Sequence, residues 1–174
     1  MKKYIVIGNP INHSLSPKLH NFWINKYKLK ATYNKIKLNE NELEGTVKEV
    51  RDNKIDGINV TVPFKKKIIP FMDTLSPLAQ HANSVNTIYK KKNKIVGDNT
   101  DVEGFEKSLK AINFNPKNKK AFIIGAGGVA LSIIVGLKRM GIEKISISNR
   151  TKSEPENLKE KYKDLDILDW GKSC

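Results

Sequence analysis

The sequence predicts an α/β fold made of two consecutive units. Short apolar runs that read as strands alternate with segments whose apolar residues recur at helical spacing. A glycine-rich turn between a strand and a helix, at residues 125–130, marks the second unit. The polar, proline-containing segment 113–118 separates the two units. With 174 residues in all, we place a first domain at residues 1–113 and a second at residues 114–174.

The first unit reads as βαβαβ followed by a hairpin and a helix. Its strands are predicted at residues 4–8, 32–37 and 57–62, the last one stopped by Pro63. A Lys/Asn turn joins strands 87–89 and 94–96, and residues 100–103 have the spacing of a capping box that opens a helix. The predicted helix faces consist of Leu19, Phe22, Trp23 and Tyr27, then Leu43, Val47 and Val50, and finally Phe105, Leu109 and Ile112.

The second unit begins with strand 120–124, which we expect to be buried. The glycine turn and an apolar helix ending near Gly141 follow, and then a strand at 145–150, a helix at 153–163 capped by Ser153 and a short strand at 165–170. A βαβ unit needs about 30 residues, and a complete dinucleotide-binding domain needs two such halves. Residues 118–174 number 57, so we expect only the first half, with strand 120–124 unpaired on one edge.

Composition narrows the class of protein. The net charge of +14 raises nucleic acid or an anionic membrane as a partner, but 29 of the 32 basic residues are Lys, whereas base readout favours Arg. We therefore expect neither partner. The single cysteine, Cys174, allows no internal disulfide, and the three His residues lack metal-ligand spacing. The chain opens without a signal-like or membrane-spanning run, so we expect a cytoplasmic protein without a metal.

The glycine-rich turn fits the dinucleotide fingerprint, with Ala130 in the third small position. The first glycine would make the tight turn and the second would admit a pyrophosphate. At the end of the next strand, where an NAD-specific domain carries Asp or Glu, Arg150 could pair with a 2′-phosphate, which favours NADP over NAD. The alternatives are a turn without a ligand and a solvated Arg150. The candidate cofactor residues are Gly125, Ala126, Gly127, Gly128, Val129, Asn149, Arg150 and Thr151.

Two serines precede the first helix and admit two readings. Ser16 is expected at the N-cap, with Pro17 at the first helical position, and this alone would explain the pattern. Ser14 and Ser16 beside free helix N–H groups would also make a nest for a carboxylate. The residues by themselves favour neither reading.

Four further polar residues also admit both a structural and a functional interpretation. Asn59 and Thr61 share one face of their strand and point either to solvent or to a ligand. Lys65 begins a lysine triplet, which by default is a solvated charge run. Asp101 stands in the first turn of a helix, where a carboxylate favours the helix dipole whatever else it does.

Six sequence blocks occur in a characteristic order. They are Asn9-Pro10-x-x-His13-Ser14-Leu15-Ser16-Pro17, Asn59-Val60-Thr61-Val62-Pro63-Phe64-Lys65, Val85-Asn86-Thr87, Gly97-Asp98-Asn99-Thr100-Asp101-x-x-Gly104, Gly125-Ala126-Gly127-Gly128 and Asn149-Arg150-Thr151. This combination resembles the shikimate dehydrogenases over residues 4–151. The resemblance implies an NADP-dependent oxidoreductase that reversibly reduces 3-dehydroshikimate to shikimate in aromatic amino acid biosynthesis. It also implies a substrate domain followed by a Rossmann domain.

The resemblance further implies roles for individual residues. Ser14 and Ser16 would hold the substrate carboxylate, and Thr61, Asn86 and Asp101 would bind ring hydroxyls, with Asn59 grouped among the substrate-binding residues. Lys65, paired with Asp101, would exchange a proton with the reacting oxygen while hydride moves between the nicotinamide and the ring.

Departures from the family pattern set the alternatives. The family commonly has Gly-Ala where Asn83-Ser84 stand, which affects local loop geometry more than chemistry. Quinate-using relatives that favour NAD tend to carry an acid near residues 149–151, and they are the runner-up. Because the second domain is expected to be only half present, we interpret the chain as truncated and expect little activity from it alone. A non-catalytic shikimate-binding module is therefore another alternative, and a homodimer is one option for its assembly.

Overall fold

The computed structural model describes residues 1–171 and divides into two compact units, Met1–Asn99 and Thr100–Cys174. Cys174, on which the argument about disulfides rests, lies outside the described residues. Each unit combines one sheet with helices, so the predicted α/β class is confirmed. None of the helices within residues 1–171 has both the length and the apolar character that a membrane span requires.

A six-stranded sheet forms the first unit. The strands are β1 (Lys2–Gly8), β2 (Ala31–Lys37), β3 (Gly57–Val60), β4 (Thr74–Leu75), β5 (Thr87–Lys91) and β6 (Lys94–Asp98), in the spatial order β2-β1-β3-β5-β6-β4. β1 pairs in parallel with both β2 and β3, whereas β5 runs antiparallel to β3 and β6. Lys92 and Asn93 have φ values of 47° and 66°, the conformation that a two-residue hairpin turn needs. The predicted βαβαβ order and the hairpin are therefore confirmed.

Four helices connect these strands: α1 (Ser16–Lys26), α2 (Leu43–Arg51), α3 (Phe64–Lys67) and α4 (Pro77–Ala82), with 3-10 turns at Glu40–Glu42 and Ile69–Phe71. The apolar face of α2 is buried as predicted, and it packs against the sheet in the main core of the unit. α1 differs, because none of its residues is buried. Its predicted apolar face is 40–63% exposed at Leu19, Phe22, Trp23 and Tyr27.

The predicted helix caps need correction at three places. α1 begins at Ser16 itself, and its N-cap is Leu15, whose backbone is already helical at φ −88° and ψ −3°. Ser153 is likewise the first residue of its helix rather than the cap. Thr100 is an N-cap as predicted, but its side chain makes no capping hydrogen bond, so the capping box is not formed. Side-chain spacing suggested these caps, whereas the backbone conformation decides where a helix begins.

The second unit contains a three-stranded parallel sheet. Its elements are α5 (Asp101–Ala111), β7 (Lys120–Ile124), α6 (Ala130–Arg139), β8 (Lys144–Ser148), α7 (Ser153–Lys161) and β9 (Leu165–Leu168), with the strands in the order β7-β8-β9. β7 therefore lies at an edge of the described sheet, as expected. Its predicted burial is wrong, because Phe122 is 46% and Ile124 71% exposed on this one-sided strand.

Helix α5 explains why the compact units divide between Asn99 and Thr100 and not after residue 113. Phe105 and Leu109 on α5 pack against the core of the second unit. Gly136 on α6 permits this contact, because a Cβ there would lie only 3.0 Å from Cδ1 of Phe105. Helix α5 thus belongs by its packing with the elements that follow it.

Residues 83 and 84 accommodate the departure from the family's Gly-Ala. The Ser76 side chain accepts a hydrogen bond from Ala79 N and caps α4, and Asn83 ends that helix in the left-handed region at φ 44° and ψ 46°. Asn is the side-chain-bearing residue that best tolerates this conformation. The next residue is less well accommodated, because the buried Ser84 hydroxyl has no hydrogen-bond partner among the described residues.

We expect Ser84→Ala to stabilise the protein. A buried hydroxyl without a partner carries a desolvation cost, so its removal should raise the free energy of unfolding by about 1 kcal/mol. Urea denaturation monitored by circular dichroism measures this. Ser76→Ala is the matched control and should lower the same quantity by about 1 kcal/mol, because it removes the α4 cap. A Ser84→Ala variant less stable than wild type would show that the hydroxyl is in fact satisfied.

Candidate functional site

Three chain segments meet at the carboxyl ends of β1 and β3. Backbone hydrogen bonds join them: Asn9 N donates to Val62 O at 3.0 Å, and Val85 N donates to Lys65 O at 2.8 Å. A third bond, from Val60 N to Asn86 O at 2.8 Å, holds residues 84–86 beside β3. These main-chain N–H and C=O groups therefore bind each other. The side chains of segments 9–16, 61–65 and 84–86 are carried on one connected edge of the sheet, where parallel strands commonly bind ligands.

Ser14 and Ser16 lie at the N-terminus of α1. Ser14 Oγ accepts a hydrogen bond from Ser16 N at 3.3 Å, and the Ser14 amide donates to Ile11 O at 3.0 Å. Both serines are partly buried. Two hydroxyls beside the first N–H groups of a helix form a suitable site for a carboxylate.

Thr61 packs tightly against the end of β1. Its amide donates to Ile7 O at 2.9 Å. Gly8 lies so close that a Cβ there would be 2.6 Å from Thr61 Cγ2 and 3.0 Å from Val62 O. Thr61 therefore has its position set by a glycine that no side chain can replace without displacement.

Lys65 is distinguished from the rest of the lysine triplet by its burial. It is the second residue of the short helix α3, which is anchored by Phe64 at 2% exposure. Lys65 is partly buried, whereas Lys66 and Lys67 are exposed, and Lys67 pairs with Glu40. The default interpretation of the triplet as one solvated run thus applies to Lys66 and Lys67 but not to Lys65.

Asn59 and Asn86 belong to a chain of side-chain hydrogen bonds that the sequence did not predict. Tyr33 Oη donates to Asn59 Oδ1 at 2.6 Å. Asn59 Nδ2 donates to Thr87 Oγ1 and to Asn86 O, both at 3.2 Å. Thr87 Oγ1 in turn donates to Asn86 Oδ1 at 3.0 Å. Sequence reasoning missed Tyr33 and Thr87, although alternation along β2 and β3 could have placed Tyr33 and Asn59 on one face.

Tyr33 is held firmly at the start of this chain. The Asn21 side chain bonds both its backbone groups, accepting from Tyr33 N at 3.1 Å and donating to Tyr33 O at 2.7 Å. The ring of His20 stacks on the phenol ring with centroids 4.2 Å apart. Burial raises the pKa of the Tyr33 phenol to about 12 and lowers the pKa of His20. Tyr33 is consequently a protonated donor at neutral pH.

The glycine turn of the second unit has a tight and open backbone. Gly125 adopts φ +102°, a conformation that strains any other residue, and its amide donates to Ser148 O at 2.8 Å. At Gly127 a Cβ would meet no atom within 4 Å, so the backbone is open to a close ligand. Ala130 is buried at the start of α6, and Ala126 is buried in the turn, while Gly128 and Val129 are exposed.

Two polar residues, Asn149 and Arg150, follow β8 and differ in their surroundings. Asn149 Oδ1 accepts from Ala126 N at 3.0 Å, and its Nδ2 donates to Thr151 O at 2.8 Å, so this side chain holds the turn. Arg150 is exposed and directly follows Asn149 in sequence. Asp101, the remaining predicted site residue, is the partly buried first residue of α5. Residues 1–171 contain no cluster of three or more His, Cys, Asp or Glu side chains that could hold a metal.

Two family models match the chain. Residues 6–88 match the shikimate dehydrogenase substrate-binding domain, and residues 107–169 match the shikimate/quinate 5-dehydrogenase domain. The shikimate dehydrogenase (NADP(+)) of Pelagibacter ubique (strain HTCC1062) is 56% identical over 172 residues, which are 99% of this chain and 65% of that protein. The chain belongs to the shikimate dehydrogenase family.

Solved structures of the shikimate dehydrogenase family agree with this assignment. The shikimate dehydrogenase of Aquifex aeolicus aligns with a TM-score of 0.89 at 38% identity, over 97% of this chain and 62% of that one. The shikimate 5-dehydrogenase of Thermus thermophilus, in complex with NADP(H) and shikimate, aligns with a TM-score of 0.86 at 33% identity, over 97% and 63%. The chain thus spans 62–65% of the length of these relatives.

We expect Gly8→Ala to destabilise the first unit. The added methyl would displace Thr61 or the Val62 carbonyl, at a cost of about 1–3 kcal/mol in the free energy of unfolding. Gly45→Ala is the control, because Gly45 lies inside α2 with nothing within 4 Å of its Cβ position, and should add about 0.5–1 kcal/mol. Urea titrations compare the two. Equal stability of Gly8→Ala and wild type would contradict the tight packing at Thr61.

We also expect Tyr33 to make the stability of the protein fall in alkali. Its pKa of about 12 in the fold exceeds the ordinary value of 10.0, so its contribution is complete below pH 10. That contribution is lost as the pH rises from 10 to 12. Denaturant titrations across this range should show a shallower decline for Tyr33→Phe than for wild type, with a constant offset between the two below pH 9. Parallel curves throughout would mean that the phenol is not desolvated.

Proposed function

We propose that this chain supplies the substrate site and the NADP phosphate-binding turn of a shikimate dehydrogenase, which interconverts 3-dehydroshikimate and shikimate. The observation that carries the proposal is the edge of the sheet at the carboxyl ends of β1 and β3. There the segments that contain Ser14, Lys65 and Asn86 are linked by backbone hydrogen bonds. Three segments far apart in sequence thus present a carboxylate nest, a cation and amide and hydroxyl donors together. This is the chemistry needed to recognise a hydroxylated ring acid.

The substrate groups are assigned by chemistry. Ser14 and Ser16 at the start of α1 suit the carboxylate, because hydroxyls and helix N–H groups donate toward negative charge. Thr61 and Asn86 suit the ring hydroxyls, with Asp101 as a further predicted ligand. Asn59 is reassigned: both hydrogens of its amide are used on Thr87 and on the backbone of residue 86. We propose that Asn59 supports its neighbours rather than the substrate directly.

The cofactor turn fits a dinucleotide. The open backbone at Gly127 and the left-handed Gly125 suit a pyrophosphate, and the exposed guanidinium of Arg150 suits a 2′-phosphate. Bound NADP supplies or accepts the hydride. The absence of Asp or Glu at residues 149–151 favours this cofactor over NAD and argues against the quinate-using relatives. The relative from Thermus thermophilus was solved with NADP(H) and shikimate.

Lys65 is proposed to move the proton. In the reductive direction its ammonium gives a proton to the carbonyl oxygen as hydride reaches the ring carbon, which yields the alcohol. In the oxidative direction the neutral amine takes the hydroxyl proton as hydride leaves. The side chain of Lys65 is partly buried on α3, and its backbone carbonyl, which accepts from Val85 N, ties this helix to residues 84–86.

We expect Lys65→Ala, introduced into an active form that contains this chain, to lower kcat for shikimate-dependent NADP+ reduction by about 100-fold or more, because general acid–base groups contribute about 10²–10⁴. Shikimate affinity, measured by calorimetry, should change far less. Lys66→Ala is the control from the same helix and should stay within about twofold of wild type in both measurements.

Each outcome decides between the functions. Turnover that survives Lys65→Ala within a few fold would contradict the role of Lys65. Shikimate binding by wild type without NADP+ reduction would favour the binding module over the dehydrogenase. The absence of both from the wild-type chain would contradict the proposed function.

A further inference from the structure

The hydrogen bonds from Tyr33 to Asn86 run in one direction. Tyr33 donates to the oxygen of the Asn59 amide, and the nitrogen of that amide donates to the Thr87 hydroxyl. The hydroxyl accepts this hydrogen bond and donates its own hydrogen to the Asn86 amide oxygen. Asn59 and Thr87 each accept one hydrogen bond and donate the next, so the orientation of each amide depends on the link before it and, for Asn59, also on its bond to Asn86 O.

Hydrogen bonds fix the backbone of Asn86, so the main question left is which way round its side-chain amide lies. Asn86 N donates to Asp98 O at 3.0 Å, and Asn86 O accepts from Val60 N at 2.8 Å. The residue is only 8% exposed. A rotation of the amide by half a turn exchanges its oxygen and nitrogen and changes little else, so a hydrogen bond to Oδ1 decides which of the two atoms faces which neighbour.

We propose that Tyr33 is a positioning residue that fixes, through Asn59 and Thr87, the orientation in which Asn86 presents its amide to the substrate. The inference rests on the proposed function in one respect, namely that Asn86 binds a ring hydroxyl. The protonated phenol has one hydrogen to give, and it gives it to Asn59. Asn21 binds the backbone of Tyr33, and His20 stacks on its ring. The residue at the start of the hydrogen-bond chain is therefore held in place.

Loss of the Tyr33 hydroxyl removes one of the contacts that set the orientation of Asn59, and leaves the bond from Asn59 Nδ2 to Asn86 O. The phenol no longer holds the Asn59 oxygen away from Thr87. Whenever the amide turns that oxygen toward Thr87, at the cost of its bond to Asn86 O, the hydroxyl donates to it instead of to Asn86. Asn86 Oδ1 loses this donor in that part of the population, and the preference of its amide for the present orientation weakens. A substrate hydroxyl would then meet the wrong atom in part of the population.

The experiment compares Tyr33→Phe with Tyr4→Phe. Tyr4 lines the same cavity of about 710 Å³ as Tyr33, but its hydroxyl takes no part in the chain of hydrogen bonds, so the control removes an equal group from the same wall. Thr87→Val and Thr87→Ser form a second pair, in which valine removes the last donor and serine restores it. The measurements are the side-chain amide signals of Asn86 in ¹⁵N NMR spectra and the Kd for shikimate by calorimetry.

Tyr33→Phe and Thr87→Val are expected to shift or broaden the Asn86 amide pair and to weaken shikimate binding about tenfold, the loss of roughly one hydrogen bond. Tyr4→Phe and Thr87→Ser should leave the amide pair in place and bind within about twofold of wild type. Rescue by serine separates positioning from a loss of packing.

The proposal is overturned if the Asn86 signals are unchanged in both Tyr33→Phe and Thr87→Val, or if Tyr4→Phe and Thr87→Ser disturb them equally. A Kd for shikimate that stays at the wild-type value while the signals shift would overturn the claim that the orientation of Asn86 matters for substrate binding. A wild-type chain that does not bind shikimate would contradict the proposed function alone, because the NMR comparison needs no ligand and still decides whether Tyr33 orients Asn86.

Discussion

The parallel pairing of β1 with β3 is the constraint on which the first unit depends. Its register, from Tyr4 opposite Gly57 to Ile7 opposite Val60, brings the ends of both strands to the same edge. Segments 9–16 and 61–65 must therefore leave the sheet side by side, and the approach is so close that only glycine fits at position 8. Residues 84–86 then lie against β3 through the Val60 amide. Polar side chains that are separated by up to about 70 residues become neighbours because main-chain hydrogen bonds leave the backbone no alternative.

The periodicity of apolar residues predicted correctly those elements whose apolar face is covered by neighbouring elements. The α2 face of Leu43, Val47 and Val50 is buried, and the hairpin follows from Lys92 and Asn93 in the left-handed region. The same reasoning failed for α1 and β7, because an apolar pattern tells which face can be buried but not whether another element covers it. The caps failed for a different reason. Leu15 already has helical backbone angles, so the helix starts one residue earlier than the serine pattern suggested.

The candidate site shows a similar division between what residue types reveal and what only coordinates reveal. The sequence named Lys65, but within a lysine-rich chain its charge could not set it apart from Lys66 and Lys67. Burial does so, because Phe64 anchors α3 and leaves Lys65 partly covered while its neighbours remain exposed. Alternation along the strands could have placed Tyr33 and Asn59 on one face of the sheet, but their hydrogen bond could not be predicted, because it depends on the register of β1 with both β2 and β3.

Asparagine carries much of the long-range bonding in this chain, which changes how the family motifs are interpreted. Asn9 donates to Leu38 O, Asn21 holds the backbone of Tyr33, and Asn99 donates to Ser84 O. Asn59 and Asn149 lie within motifs that predict ligand contacts, yet their amides are used on Thr87 in one unit and on the glycine turn in the other. An amide both donates and accepts, so one side chain can satisfy a backbone N–H and a carbonyl at once, whereas a carboxylate only accepts and an ammonium only donates. A motif can therefore combine residues that contact a ligand, the role we propose for Ser14, Thr61 and Arg150, with residues such as Asn59 and Asn149 whose amides hold the surrounding segments in place.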